Sequence, residues 1–148
     1  MHIHSNRRGA LRWGLALAAS TLAPGVRACE FFAPTLRITH PWTRATAPGA
    51  GHAVVCMKLD EVIESDRLVG MHSPVADAAE IIGPDARACV DLPIPAGSVI
   101  QMSERGVHMR LLGLRHPLEM ARSYPLVLRF EKGGEVSATL NVDYARFL

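Results

Sequence analysis

Residues 126 to 142 read LVLRFEKGGEVSATLNV, and this stretch decides the fold. Apolar and polar side chains alternate from Leu126 to Glu131 and again from Glu135 to Val142, which is the period of a strand with one buried face. Between these runs, Lys132-Gly133-Gly134 provides glycines that permit the positive φ of a tight hairpin. The stretch therefore predicts two antiparallel strands. The side chains expected to face inward are Leu126, Leu128, Phe130, Val136, Ala138 and Leu140.

Further short runs of branched and apolar residues, separated by Gly, Pro, Asp and Ser, continue this pattern upstream. They are Leu36 to Thr39, Ala53 to Leu59, Arg67 to Met71, Val99 to Met102 and Val107 to Leu114. Seven or so strands at this spacing predict an all-β domain, an antiparallel sandwich or barrel. The chain has 148 residues, of which 49% are hydrophobic, and this suits one domain with a core of its own.

The first 28 residues have the three parts of a secretory signal peptide. Arg7, Arg8 and Arg12 precede the apolar run from Trp13 to Ala23, and Val26-Arg27-Ala28 fits a small-x-small cleavage site. The apolar run is well short of the roughly 20 residues that a membrane-spanning helix needs. We therefore expect a signal peptide over residues 1–28 and a mature domain over residues 29–148 in the periplasm. Lipidation at Cys29 stays open.

Removal of the signal peptide changes the charge and sets the redox environment. The four arginines of residues 1–28 are lost, which leaves 12 basic against 14 acidic residues, so no basic surface for nucleic acid is expected. The mature chain also has no run long enough to span a membrane. Cys29, Cys56 and Cys89 enter an oxidising compartment, where one disulfide and one odd thiol are the simplest arrangement, with all three pairings open.

Several motifs, in order along the chain, resemble the PCu(A)C family of periplasmic copper chaperones. The motifs are HPWTRAT at 40–46, DRLVG at 66–70, SPVA at 73–76, PIPAG at 93–97, His108 and FEKGGEV at 130–136. The resemblance covers roughly residues 40 to 143. It implies a cupredoxin-like Greek-key fold, copper(I) as the bound metal, and a periplasmic copper-acceptor or oxidase-assembly protein as partner.

The resemblance also implies a ligand set of two histidines and two methionines, donors that soft copper(I) prefers. The closing H-x-M of that set begins here with His108 but ends in Arg110, whose guanidinium has no lone pair to offer. Ile82 stands at the position of the first histidine, and Ala86 stands at that of the second methionine, upstream of the closing H-x-M. Three of the four implied ligands are thus replaced. Because side chains alternate along a strand, His108 and Arg110 share a face, and Glu80 or Asp85 could pair with Arg110.

Two hypotheses of function follow. In the first, the protein binds and delivers copper(I) through His108 together with recruited donors, for which Met71 and His72 are the candidates. In the second, it binds no metal, and its barrel is a periplasmic binding module or scaffold that contacts a partner protein. An enzyme is not expected, because the sequence has no G-x-S-x-G elbow, H-E-x-x-H motif or glycine-rich phosphate loop.

Overall fold

The computed structural model describes residues 29 to 83 and 90 to 146. These residues form ten β-strands and contain no helix, hence none that could cross a membrane. The strands are β1 (Glu30–Phe32), β2 (Arg37–Arg44), β3 (His52–Asp60), β4 (Asp66–His72), β5 (Ala78–Ile82), β6 (Leu92–Ile94), β7 (Ile100–Gln101), β8 (His108–Leu112), β9 (Ser123–Phe130) and β10 (Gly134–Tyr144). The expected all-β fold is confirmed. The signal peptide predicted over residues 1–28 lies outside the described residues.

The strands form one strongly curved sheet in the order β5-β8-β3-β2-β10-β9-β4-β6, with β1 added to β2 and β7 added to β3. β4 also approaches β5, which brings the two edges of the sheet toward each other into a barrel. All neighbouring strands are antiparallel except β2 and β10, which run parallel. A parallel pair cannot be joined by a tight hairpin, and here almost the whole domain connects the two strands.

The hairpin predicted from residues 126 to 142 is present. Val136 lies opposite Leu128 and Ala138 lies opposite Leu126, and Gly134 takes a φ of 74° at the turn. All six side chains expected to face inward are buried, and Phe130 is only 2% exposed. The alternation of the sequence therefore identified both the strands and their buried face.

A bulge in β4 decides which way its side chains point. The pairing with β9 shifts between Leu68 and Gly70, so that Leu68 and Met71, three residues apart, both face the core. A bulge inserts one extra residue into a strand and so changes the alternation beyond it. Met71 is therefore 8% exposed, whereas the next residue, His72, faces outward.

A buried ion pair closes the end of β3. Asp60 accepts hydrogen bonds from Nε and Nη2 of Arg37 on β2, both at 2.8 Å. Lys58 adds a second cation at 3.1 Å. The hydrogen bonds from Arg37 are the main reason that the pKa of Asp60 falls to about 2. The side chain of Asp60 is almost fully buried, so its ionised form depends on these partners.

The two described cysteines are free thiols, so the expected disulfide does not join them. Cys56 lies on β3 inside the core, while Cys29 is half-buried at the start of β1 and accepts a hydrogen bond from Asn141. Their separate environments keep them apart. Burial raises the pKa of the Cys56 thiol to about 11. Cys89 lies outside the described residues.

Candidate metal centre

The imidazole of His108 is held in one orientation at the start of β8. Its Nδ1 lies 2.9 Å from the carbonyl oxygen of Gly106. Because a carbonyl oxygen can only accept, Nδ1 carries the proton and the lone pair of the neutral ring is on Nε2. His108 is only 6% exposed, and its Nε2 atom is buried. This atom nevertheless has no hydrogen-bond partner among the described residues. Hydrogen bonding of one ring nitrogen to a carbonyl is the usual way in which proteins prepare the other nitrogen for a metal.

A surface depression of about 430 Å³ lies beside this imidazole. Its described lining residues are Ile82, Gly83, Arg105, Gly106, Val107 and His108. β5 pairs with β8 so that Ile82 is directly opposite His108. Side chains directly opposite on antiparallel strands have their Cβ atoms about 5 Å apart. The apolar residue at the position of the implied first histidine therefore lies next to the only ligand that the resemblance retains.

Arg110 lies on the same face of β8 as His108, as the alternation of the strand predicted. It is opposite Glu80 of β5 and Val54 of β3. Its Nη1 atom lies 3.8 Å from Oε1 of Glu80, so the expected pairing of these two side chains is confirmed. At this distance, with both side chains partly exposed, the pair contributes at most about 1 kcal/mol. Its effect on the site is mainly to place a fixed positive charge near His108.

Met71 and His72 line a different depression from that of His108. This second depression, of about 230 Å³, is lined by Gly70, Met71, His72, Val127, Arg129 and Glu135. It lies on the β4-β9-β10 part of the sheet, whereas His108 lies between β5 and β3. The structure thus does not bring Met71 and His72 into the depression of His108. A metal-binding role for either residue stays a prediction, and Ala86 lies outside the described residues.

Four other potential ligands, Met57, Met102, Met109 and His40, lie in the core or contact another side chain. Met57, Met102 and Met109 are buried in the core. The Nε2 atom of His40 lies 2.7 Å from a carboxylate oxygen of Asp143. Within residues 29–83 and 90–146, no group of three or more His, Cys, Asp or Glu side chains is arranged to hold a metal ion.

Sequence reasoning did not identify the ion pair that joins the turn before β8 to β2. The loop between β7 and β8 carries Glu104, which forms two hydrogen bonds with Arg44 of β2, at 2.8 and 2.9 Å. Arg44 belongs to the matched motif at 40–46, which was the only signal in the sequence that singled it out. Sixty residues separate the two side chains, and no local pattern predicts such a pair.

Solved PCuAC domains are similar to this structure over most of its length. The copper-bound PCuAC domain from PmoF2 is 26% identical, with a TM-score of 0.70 over 78% of this chain and 97% of that one. The apo PCuAC domain from PmoF1 is 25% identical, with a TM-score of 0.71 over 78% and 98%. The copper(I) form of DR1885 from Deinococcus radiodurans is 21% identical, with a TM-score of 0.61 over 74% and 78%, and this likeness shows the fold alone.

These similarities confirm the cupredoxin-like fold and the resemblance to PCuAC domains. A comparison with curated proteins found no match. Residues 36 to 142 match the family described as "Putative lipoprotein LpqE-like". This match spans well over half of the sequence and includes nearly all of the barrel. The chain belongs to the LpqE-like family and has a domain of the PCuAC type.

Proposed function

We propose that this protein is an exported copper(I)-handling domain in which His108 is the ligand that remains and copper(I) is held weakly. The observation that carries the proposal is the state of the His108 ring. Its Nδ1 donates to Gly106, and its buried Nε2 has no partner among the described residues. An unsatisfied buried nitrogen costs free energy, and a soft metal ion beside it would recover that cost.

Weak binding follows from the neighbours of His108. Ile82 offers no donor atom from the opposite strand, and Arg110 places a positive charge on the same face. A copper(I) ion held by one imidazole of this protein keeps coordination positions open for other donors. Donors of a periplasmic copper-acceptor or oxidase-assembly partner could fill them, so that delivery would proceed by ligand exchange.

The metal-free hypothesis has one observation in its favour, the contact between Arg110 and Glu80. In that hypothesis the ion pair and Ile82 replace the metal and join β5 to β8. The same experiment decides between the two hypotheses, because only a copper-handling protein shows a response of the His108 ring to copper(I).

The test follows the histidine side chains by ¹⁵N NMR during anaerobic addition of copper(I) to residues 29–148. We expect the Nε2 resonance of His108 to move first, and we expect His108→Ala to abolish this earliest response. His116 serves as the control, because it is exposed and its Nδ1 contacts the Pro117 carbonyl at 2.8 Å. His116→Ala should leave the response of His108 unchanged. Absence of any His108 response would contradict the proposal and favour the metal-free module.

The roles of Met71 and His72 are tested in the same titration. If these residues supply further donors, Met71→Leu and His72→Ala should each weaken the response at His108. Leucine keeps an apolar side chain of similar size at the buried position, which limits the effect on packing. We expect no change in either variant, because the two residues line a separate depression.

Export is supported by the arginines, apolar run and cleavage pattern of residues 1–28 and by the family description, which names a lipoprotein. We expect the protein recovered from the periplasmic fraction to begin at or near Cys29. Intact-mass measurement checks this, and a mass that retains the arginine-rich start would contradict it. A mass increase confined to Cys29 would identify lipidation.

A further inference from the structure

The turn that precedes β8 determines where the Gly106 carbonyl points. The backbone N–H of Gly106 donates to the carbonyl oxygen of Ser103 at 3.2 Å and to its hydroxyl at 2.9 Å. The N–H of Ser103 in turn donates to the Val107 carbonyl at 3.0 Å. These bonds shape the turn itself. They do not attach it to the rest of the barrel.

Glu104, the second residue of this turn, provides such an attachment. Its carboxylate accepts two hydrogen bonds from Arg44, from Nε at 2.8 Å and from Nη2 at 2.9 Å. Arg44 is itself fixed, since Nη1 donates to the Ala145 carbonyl at 3.1 Å and the guanidinium lies 5.3 Å from the ring centroid of Tyr144. A two-bond contact between guanidinium and carboxylate restricts orientation more than a single contact does. The turn is thereby attached to β2 through the side chain of Arg44.

We propose that Arg44 and Glu104 are positioning residues for His108. By docking the turn, they keep the Gly106 carbonyl 2.9 Å from Nδ1 and so keep the lone pair of the ring on Nε2. This inference rests on the proposed function, because it concerns how the same imidazole is prepared for copper(I). Partly exposed ion pairs contribute little to global stability, so the principal effect of this pair is on the geometry of the turn.

The test measures the tautomer of His108 in metal-free protein, by side-chain ¹⁵N NMR at a pH where the ring is neutral. In the wild type we expect the Nδ1–H tautomer. Glu104→Ala frees the turn and should raise the fraction of the Nε2–H tautomer, because the Gly106 carbonyl no longer stays in place. His116 provides an internal control in the same spectrum, and its signals should not change.

A matched protein control is Glu119→Ala, which removes another ion pair, the exposed contact with Arg122. It should leave the His108 tautomer unchanged. Arg44→Ala should act on the tautomer like Glu104→Ala, and the double variant should shift it no further, since the two side chains act on the turn through the contact that they share. Glu104→Gln keeps the size of the side chain and one hydrogen bond, and it replaces Glu104→Ala if that variant does not fold. An unchanged His108 tautomer in the folded Arg44 and Glu104 variants would overturn the proposal.

Copper(I) binding provides a second readout. Loss of a hydrogen bond that orients a ligand costs about 10-fold to 100-fold in metal affinity, and we expect a loss of this size in Glu104→Ala. A shifted tautomer in a protein whose wild type shows no copper(I) response supports the positioning role and contradicts the proposed function. An unchanged tautomer in a protein that binds copper(I) through His108 contradicts the positioning role and supports the proposed function.

Discussion

Substitution of Arg110 separates the two ways in which this residue weakens the site, by its charge and by the absence of a donor. Residues two apart on a strand lie about 7 Å from each other on the same face. At that separation, the positive charge of Arg110 and that of a copper(I) ion bound at His108 repel by about 0.6 kcal/mol at a dielectric constant of 80. At a dielectric constant of 20 the repulsion is about 2.4 kcal/mol. Glu80, 3.8 Å from Arg110, offsets part of this repulsion, so we expect the lower half of the range.

Arg110→Leu removes the charge without adding a ligand. A gain in the lower half of that range corresponds to a decrease in the copper(I) dissociation constant of about 3-fold to 10-fold. Arg110→Met removes the same charge and adds a thioether, which recreates H-x-M on one face of β8. It should therefore bind more tightly than Arg110→Leu. Arg110→Lys keeps the charge and should resemble the wild type.

The assay is anaerobic competition against a copper(I) chelator, with all three variants measured in one ionic strength. Glu80→Gln in the Arg110→Leu background shows how much of the gain comes from the unpaired carboxylate of Glu80. Ile82→His added to Arg110→Met should increase affinity again, because Ile82 lies directly opposite His108. Equal affinities of the Leu and Met variants would refute the reasoning about the face of β8. An Arg110→Leu variant with the same copper(I) affinity as the wild type would refute the reasoning about the charge of Arg110.

Three further predictions concern the barrel. Phe130→Ala should lower the free energy of unfolding by about 3 to 5 kcal/mol. Phe32→Ala, at a side chain that is 60% exposed, should lower it far less. Urea denaturation checks both variants, and a loss below about 1 kcal/mol for Phe130→Ala would mean that the wrong face of β9 was assigned to the core. Because the folded-state pKa of Asp60 is lowered to about 2 by its arginine partner, its contribution of about 2 kcal/mol is present above about pH 4 and is lost as the pH falls toward 2. Asp60→Asn should remove this acid dependence, and Asp77→Asn, in an exposed ion pair, should not; identical pH profiles for the two variants would contradict the assignment. Cys56, with its raised pKa and full burial, should react with iodoacetamide only after unfolding, and labelling of the native protein would show that β3 opens.

Local sequence patterns predicted those parts of the fold that local chemistry determines. The hairpin of β9 and β10 has an alternation that only Val127 departs from, together with a glycine turn, and its two strands and its buried face were predicted. β1, β5 and β6 were not predicted as strands, and they span only three to five residues each. Short strands of this kind depend on their partners, as β5 depends on β8, and such pairing is not visible in a single segment.

The candidate site shows the same division. Alternation placed His108 and Arg110 on one face and allowed the pairing with Glu80, all of which the structure contains. Simple alternation did not predict the burial of Met71, because a bulge beside Gly70 reverses the alternation of β4, and a glycine inside a strand is only a general sign of a bulge. The Gly106 contact that sets the His108 tautomer depends on the backbone of a turn, and no residue type signals it.

The most direct test of a copper site that keeps only His108 of its four implied ligands is the copper(I) affinity of the unaltered mature domain, residues 29–148. This affinity is measured by competition with a chelator under anaerobic conditions. We expect weak binding that the chelator readily reverses, and we expect His108→Ala to abolish it while His116→Ala leaves it unchanged. Tight, stoichiometric binding that is lost in His108→Ala would contradict the weak, incomplete copper site proposed here. It would identify a working carrier with substitute ligands.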